Sequence, residues 1–467
     1  MTHAAPEHLP RTVGELRAAG HRYRTVKEEL RENLLDRLRT GGPRFEGIVG
    51  YEDTVLPEVE RAILAGHDLV LLGERGQGKT RLIRSLVELL DEWTPVLPGS
   101  ELNEHPLHPI TPAALADAAE RGDAREVGWL HRSRRYGEKL ATPDTSVGDL
   151  IGDVDPIRVA QGRTLGDPET IHYGLVPRTN RGVFAVNELP DLAERIQVSL
   201  LNVLEERDIQ IRGYQLRLPL DLLLVASANP EDYTNRGRII TPLKDRFGAE
   251  IRTHYPVDLE LELDLVRQEA VLVAEVPEHV LEVLARFARA VRESPAVDQR
   301  SGVSARFPIA AAETVAAAAL RRAGLLGETD AVARIGDTES VTSTLRGKVE
   351  FESGEEGREV EVLAHLLRTA TADTFRARLA GLDLSGFLDV VAGGEIVETG
   401  ELVPAEEILH QIGTVPGLAK VLDRLGLGDA PSRAQVASGV EFVLEGLYLS
   451  RRLSKASSAG RTLYGSQ

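Results

Sequence analysis

The chain has 467 residues and a formal charge of −18, from 73 acidic and 55 basic side chains, a balance that repels a phosphate backbone and leaves nucleic acid outside the expected ligands. It has no cysteine, which excludes disulfides, thiolate metal sites and cysteine nucleophiles. No apolar run reaches the roughly 18 residues of a membrane span, and the N-terminus lacks a signal-peptide core, so a cytoplasmic protein without a membrane segment is expected.

The length suggests about three domains, and an apolar share of 42% is enough for ordinary cores. Residues 12–39 are polar with helical spacing, and Leu30, Leu34, Leu35 and Leu38 fall on one face. This reads as a helical N-terminal extension, 1–45. "FEGIVGYEDTVLPEVERAILAG" then gives an approach and an amphipathic helix, and "HDLVLLGERGQGKTRLIRSLVELLDEW" gives a buried strand, a glycine loop and a helix. Residues 95–145 carry no clear pattern. Within them His105 and His108 read as surface histidines of a proline loop, and the basic run "HRSRRYGEK" (131–139) reads as a solvated face.

Two further strands are legible in "GVFAV" (182–186) and "DLLLVASANP" (221–230). Between them lie a helix, "ERIQVSLLNVLEERD", and a hairpin, "IQIRGYQLRLPL". Beyond residue 256 the pattern turns helical. Val280, Leu284, Phe287, Ala288 and Val291 share one face, "ARFPIAAAETVAAAALRRAG" is a second helix, and Val436, Val440, Val443, Leu444 and Leu447 make a third stripe. "GKVEFESGEEGREVEVLAHLL" suggests a small hairpin, and "KASSAGRTLYGSQ" looks disordered.

"GERGQGKT", Gly73 to Thr80, fits G-x-x-x-x-G-K-[ST] between a strand and a helix, the context that phosphate binding demands. Glycines let the backbone turn its N–H groups toward phosphate, and the helix adds its positive end. The phosphate cradle is thus Gly73, Glu74, Arg75, Gly76, Gln77, Gly78, Lys79, Thr80 and Arg81. Only seven of the 55 basic residues are lysine; Lys79 supplies a point charge for the β- and γ-phosphates, and the Thr80 hydroxyl is a Mg²⁺ ligand.

A P-loop ATPase also needs an acid at the end of a neighbouring strand. "FAVNELPDL" supplies Glu188, placed to orient and deprotonate water. Asn187 stands where an aspartate normally does. Its amide oxygen can accept from a Mg²⁺-bound water but carries no charge, so weaker Mg²⁺ retention is expected. The metal side would then be Thr80, Asn187 through water, and Glu188. Asn229 ends the third strand, where it can hold the attacking water or simply begin an Asn-Pro turn.

"GERGQGKT", "YGLVPRTNRGVFAVNELPDL", "VLEERDIQIRGYQLRLPLDLLLVASANPEDY" and "PLKDRFG" together resemble the AAA+ ATPases grouped around the magnesium chelatase I subunit and the MoxR proteins, over about residues 46–325. The resemblance implies an α/β fold: a P-loop AAA+ core with a parallel sheet (46–256), a helical lid (257–330) and a mostly helical C-terminal extension (331–467). It makes "LIGDVDPIRVAQGR" and "GLVPRTNRG" flanks of the insertion in helix 2, and "IQIRGYQLRLP" the hairpin before sensor 1. It implies Asn229 as sensor 1, Arg246 as an arginine finger offered to the next subunit, and Arg306 as sensor 2. A finger acting in trans implies a homo-oligomeric ring, a hexamer, using ATP and Mg²⁺.

Several functions fit such a ring. One is a MoxR-like remodeller of a partner, plausibly a von Willebrand A domain protein. Another is the motor subunit of a magnesium chelatase, working through the other chelatase subunits. A third is a non-hydrolysing ATP-binding scaffold, which Asn187 keeps open. A sigma-54 activator would carry "GAFTGA" and a DNA-binding helix pair, and neither is visible.

Overall fold

A computed structural model describes the whole chain except residues 1–4, 155–159, 161–169, 206–208, 212–213, 217, 230–237, 299–300, 393–395, 459 and 467. The chain divides into two compact units, Met1–His254 and Tyr255–Gln467.

The first unit is α/β. Its strands are β1 (Leu69–Leu72), β2 (Trp93–Val96), β3 (Gly128–His131), β4 (Tyr136–Leu140), β5 (Gly152–Val154), β6 (Ile171–Tyr173), β7 (Gly182–Asn187), β8 (Ile209–Ile211), β9 (Tyr214–Leu216), β10 (Leu222–Ala228) and β11 (Ala249–Arg252). Five of them form a parallel sheet in the order β11-β1-β10-β7-β4. β1, β7 and β10 are buried at every position, as their unbroken apolar runs require of strands covered on both faces. Each such Val or Leu contributes about 1.5–3 kcal/mol of burial. β8 and β9 pair antiparallel, as the hairpin reading expects. Residues 155–159 and 161–163 of the expected insertion flank, 150–163, lie outside the described residues.

The N-terminal segment is two helices rather than one: α1 (Val13–Ala18) and α2 (Val26–Thr40). Gly20, at φ 73°, turns the chain after α1, and Thr25 opens α2 with a capping box to Glu28. Leu30 and Leu34 are buried against the sheet, whereas Leu38 points to solvent. The helices α3 (Val55–Ala65) and α4 (Lys79–Ser85) cover the same face.

The segment without a legible pattern holds the β2–β3 pair, the helix α5 (Pro112–Arg121) and the sheet strand β4. Two readings of it are corrected. The basic run is a solvated face only in part: Arg134 is exposed, but Arg135 is wholly buried, its guanidinium paired at 2.6 Å with each oxygen of Glu29 and its Nε donating to Arg181 O. An arginine deep in a core needs such a partner, and Glu29 on α2 provides it. His105 is not a surface residue either: it is buried, stacked on His21 and edge-on to Tyr23. His108 is exposed, lying flat on Tyr23.

The second unit packs the helices Leu259–Glu269, Glu278–Glu293, Arg306–Leu326, Glu359–Leu379 and Arg433–Leu449 about one apolar core running from Leu263 to Tyr464. Two expectations fail here. The stretch 347–367 forms no hairpin; its second half starts the helix Glu359–Leu379, because Leu363, Leu367 and Ala370 recur on one buried face and outweigh the short alternation before them. The C-terminal residues are ordered as strands. Among the described residues β12 (Val397–Thr399), β13 (Ser454–Ser458) and β14 (Arg461–Gly465) form an antiparallel sheet with β14 central. Buried Tyr464 donates its hydroxyl to Glu445 at 2.5 Å, which anchors a polar segment that has little apolar content of its own. Among the described residues no helix is long and apolar enough to cross a membrane.

Candidate functional site

The ends of β1, β10, β7 and β4 bring most of the expected site residues together. The loop after β1 turns through Gly76 and Gly78, at φ 75° and 74°, left-handed values that favour glycine. At Gly73 the requirement is space: a Cβ there would lie 1.9 Å from Thr253 Oγ1 and 2.2 Å from Gln77 Oε1. Those two atoms are hydrogen-bonded to each other at 2.7 Å, and that bond ties the loop to the end of β11. Tyr51 closes the loop from below. Its hydroxyl contacts Gln77 O and lies 2.9 Å from His254 O, and burial pushes its pKa up to about 12.

Lys79 opens α4 and is buried. Its ammonium is held by Gly73 O, by Glu74 O at 2.7 Å and by Asn229 Oδ1 at 2.9 Å. Asn229 is 3% exposed and immediately follows β10, so the third strand end does reach the lysine of the loop. Thr80 is half-buried one residue along, while Arg75 and Arg81 are exposed.

On β7, Asn187 is buried and its amide is fully oriented. Ser227 Oγ on β10 donates to Asn187 Oδ1 at 3.2 Å, and Asn187 Nδ2 donates to Glu138 Oε1 on β4 at 2.5 Å. Glu188 follows in the left-handed region at φ 56°, ψ 46°, with its N–H bonded to Ser227 Oγ at 3.3 Å. A non-glycine residue held there is strained, and such strain clusters at sites where a side chain must be aimed. Glu138 Oε2 meanwhile accepts from Arg84 of α4 at 3.0 and 2.9 Å and from Tyr136 at 2.9 Å.

Arg246 ends the helix Thr241–Arg246, with its side chain 43% exposed and 3.8 Å from Asp245. Arg306 is exposed at the first turn of the helix Arg306–Leu326, in the second unit.

Reading the sequence missed Tyr51, Glu138, Ser227 and Thr253. Ser227 and Thr253 lie at or beside strand ends, but Tyr51 precedes α3 and Glu138 sits inside β4, where no pattern marks them. Among the described residues no three carboxylates or imidazoles gather that could hold a metal alone. Lys79 bonds the amide oxygen of Asn229, the Thr80 hydroxyl follows it in the chain, and the Glu138 carboxylate bonds Asn187 at the end of β7. That set suits Mg²⁺, which keeps several waters and takes further oxygens from phosphate.

A profile of the sigma-54 interaction domain matches residues 164–246. The magnesium-chelatase 38 kDa subunit of Rhodobacter capsulatus is 29% identical over 229 residues, covering 48% of this chain and 59% of that protein. The chloroplastic magnesium-chelatase subunit ChlI of Nicotiana tabacum is 27% identical over 244 residues, covering 51% and 54%. The chain thus spans little more than half the length of these curated relatives. Among solved structures, a chain of the magnesium chelatase BchI–BchD complex aligns at 22% identity and TM-score 0.37, covering 68% of this chain and 98% of that one. NtrX from Brucella abortus aligns at 14% identity and TM-score 0.39, covering 77% and 72%.

Proposed function

We propose that this chain, an AAA+ protein of the magnesium chelatase I subunit and MoxR type, binds ATP with Mg²⁺ and hydrolyses it in an oligomeric ring to remodel or activate a partner protein. The observation that carries the reading is the meeting of three strand ends at one point: Lys79 bonded to Asn229, and Ser227 bonded to both Asn187 and Glu188. A chance glycine turn has no reason to gather these groups.

In this reading Gly73 to Arg81 wrap the phosphates with backbone N–H groups, and Lys79 balances their charge. Magnesium, when bound, neutralises charge developing between the β- and γ-phosphates. Thr80 would hold it directly, and Asn187 and Glu188 would face its water shell. Glu188, fixed by its strained backbone, orients the attacking water and takes its proton. Asn229 holds that water from the β10 side. Arg246, exposed at a helix end, reaches the γ-phosphate of a neighbouring subunit in a hexameric ring, and Arg306 serves as sensor 2.

The partner is a von Willebrand A domain protein or a chelatase subunit. A second reading, a chelatase motor driving Mg²⁺ into a porphyrin, is favoured by the similarity to chelatase subunits. Glu188→Gln loaded with ATP and used as bait in native lysate separates them. Recovery of a von Willebrand A protein without porphyrin-binding subunits supports the first reading, and recovery of a porphyrin-binding chelatase subunit supports the second. A Glu188→Gln protein that hydrolyses ATP as fast as the parent would contradict both.

A further inference from the structure

Glu138 carries a carboxylate to the point where the strand β7 lacks one. It stands opposite Ala185 in the parallel β4–β7 pair, two residues before Asn187, so both side chains leave the sheet on one face. That face is the one covered by α4, since Ala185 and Tyr136 pack with Leu82 and Ile83. Arg84, which grips Glu138, lies one helical turn beyond Thr80 on α4.

We infer that the acid of the metal site has moved one strand over: Glu138, bonded to Asn187, supplies the carboxylate that orients the water shell of Mg²⁺ beside Thr80. This rests on the nucleotide reading above. Three features point to it. Asn187 spends its amide N–H on Glu138 Oε1, and Arg84 and Tyr136 both bond the other oxygen, so Oε1 keeps a lone pair beside the strand end. The contact is 2.5 Å, a distance at which two carboxylates would repel; amide at 187 and acid at 138 are therefore a matched pair carrying one charge. Finally, stability alone does not explain the acid, because its ion-pair partner Arg84 is 62% exposed and such surface pairs contribute little.

The pair also decides what Asn187→Asp would do. That change does not restore a missing acid; it sets a second one against Glu138.

The test measures the Mg²⁺ concentration giving half-maximal binding of a fluorescent ATP analogue to the full chain, with affinity in EDTA as each variant's own reference. Glu138→Gln should raise that concentration about tenfold or more, the usual loss when an outer-shell partner is removed. Asn187→Asp alone should give no improvement and a lower Tm. The double variant, Glu138→Gln with Asn187→Asp, moves the charge back to β7 and should return to within about threefold of the parent.

An unchanged Mg²⁺ requirement in Glu138→Gln overturns the inference, as does a double variant that rises as far as Glu138→Gln alone, which would make Glu138 a scaffold for α4. If Glu138→Gln does not fold, the folded double variant decides: a Mg²⁺ requirement more than tenfold above the parent's overturns the inference. A parent chain that binds no nucleotide in either condition sinks the nucleotide reading itself, a separate result.

Discussion

Glu29→Ala removes the only carboxylate bonded to the buried guanidinium of Arg135 among the described residues. The effect extends further, because Arg181 is buried nearby. Burial, then the charge of Arg135, lowers the Arg181 pKa to about 10, and the Glu29 charge opposes that shift. Glu29 itself is pushed up by burial and pulled down by the hydrogen bond and charge of Arg135, with a net lowering. Its Oε1 also accepts the Asp91 N–H at 2.7 Å. Removing one partner of such a pair costs about 3–5 kcal/mol. For a unit of this size that is roughly 6–20 °C in Tm. The sign with pH follows from the lowered folded pKa: the pair stabilises fully above the unfolded glutamate pKa and is lost as pH falls through the folded value. Urea titrations of parent and Glu29→Ala at pH 7.5, and again as pH falls below about 4.3, measure both effects. A loss under about 1 kcal/mol at pH 7.5 would refute the reasoning, since it would mean water solvates Arg135 once the carboxylate is gone. The same change bears on the site, because Arg135 immediately precedes β4, three residues before Glu138.

Tyr51→Phe deletes the hydroxyl that contacts Gln77 O and His254 O, which should cost about 1 kcal/mol and weaken ATP binding about fivefold in a titration. Gly73→Ala drives a methyl into Thr253 and Gln77, so nucleotide binding should be lost, by calorimetry, in a chain whose circular dichroism is unchanged. Burial and the Arg181 charge lower His105 to about 2, and burial with the Arg378 charge lowers His279 to about 3. Both stay neutral when folded, so each should cost about 1.4 kcal/mol of stability per pH unit below about 6.5, where the unfolded chain takes up protons. A stability-against-pH slope that His105→Gln leaves unaltered would contradict this.

Three strands of the central sheet, β1, β7 and β10, were legible because they are unbroken apolar runs beside glycine and asparagine, and the loop because its chemistry fixes its spelling. β4 and β11 were not: both are edge strands of mixed, largely polar residues, and the buried Arg135 just before β4 finds its partner in Glu29, a hundred residues away in the chain. β13 and β14 read as disorder for a similar reason, since Tyr464 finds its partner Glu445 on a helix rather than in its own segment. Glu138 could not be found from sequence at all, because only the β4–β7 register puts it beside Asn187. The amide itself was visible as a departure, but its partner was not, and the partner changes its meaning.

Single-turnover ATP hydrolysis tests the central claim most directly. Parent and Glu188→Gln are each loaded with ATP and started with Mg²⁺ at assembled concentration. The parent should release phosphate, and Glu188→Gln should bind ATP with similar affinity but hydrolyse it at least about a hundredfold more slowly. Equal rates, or no hydrolysis by the parent at saturating Mg²⁺, would contradict the account.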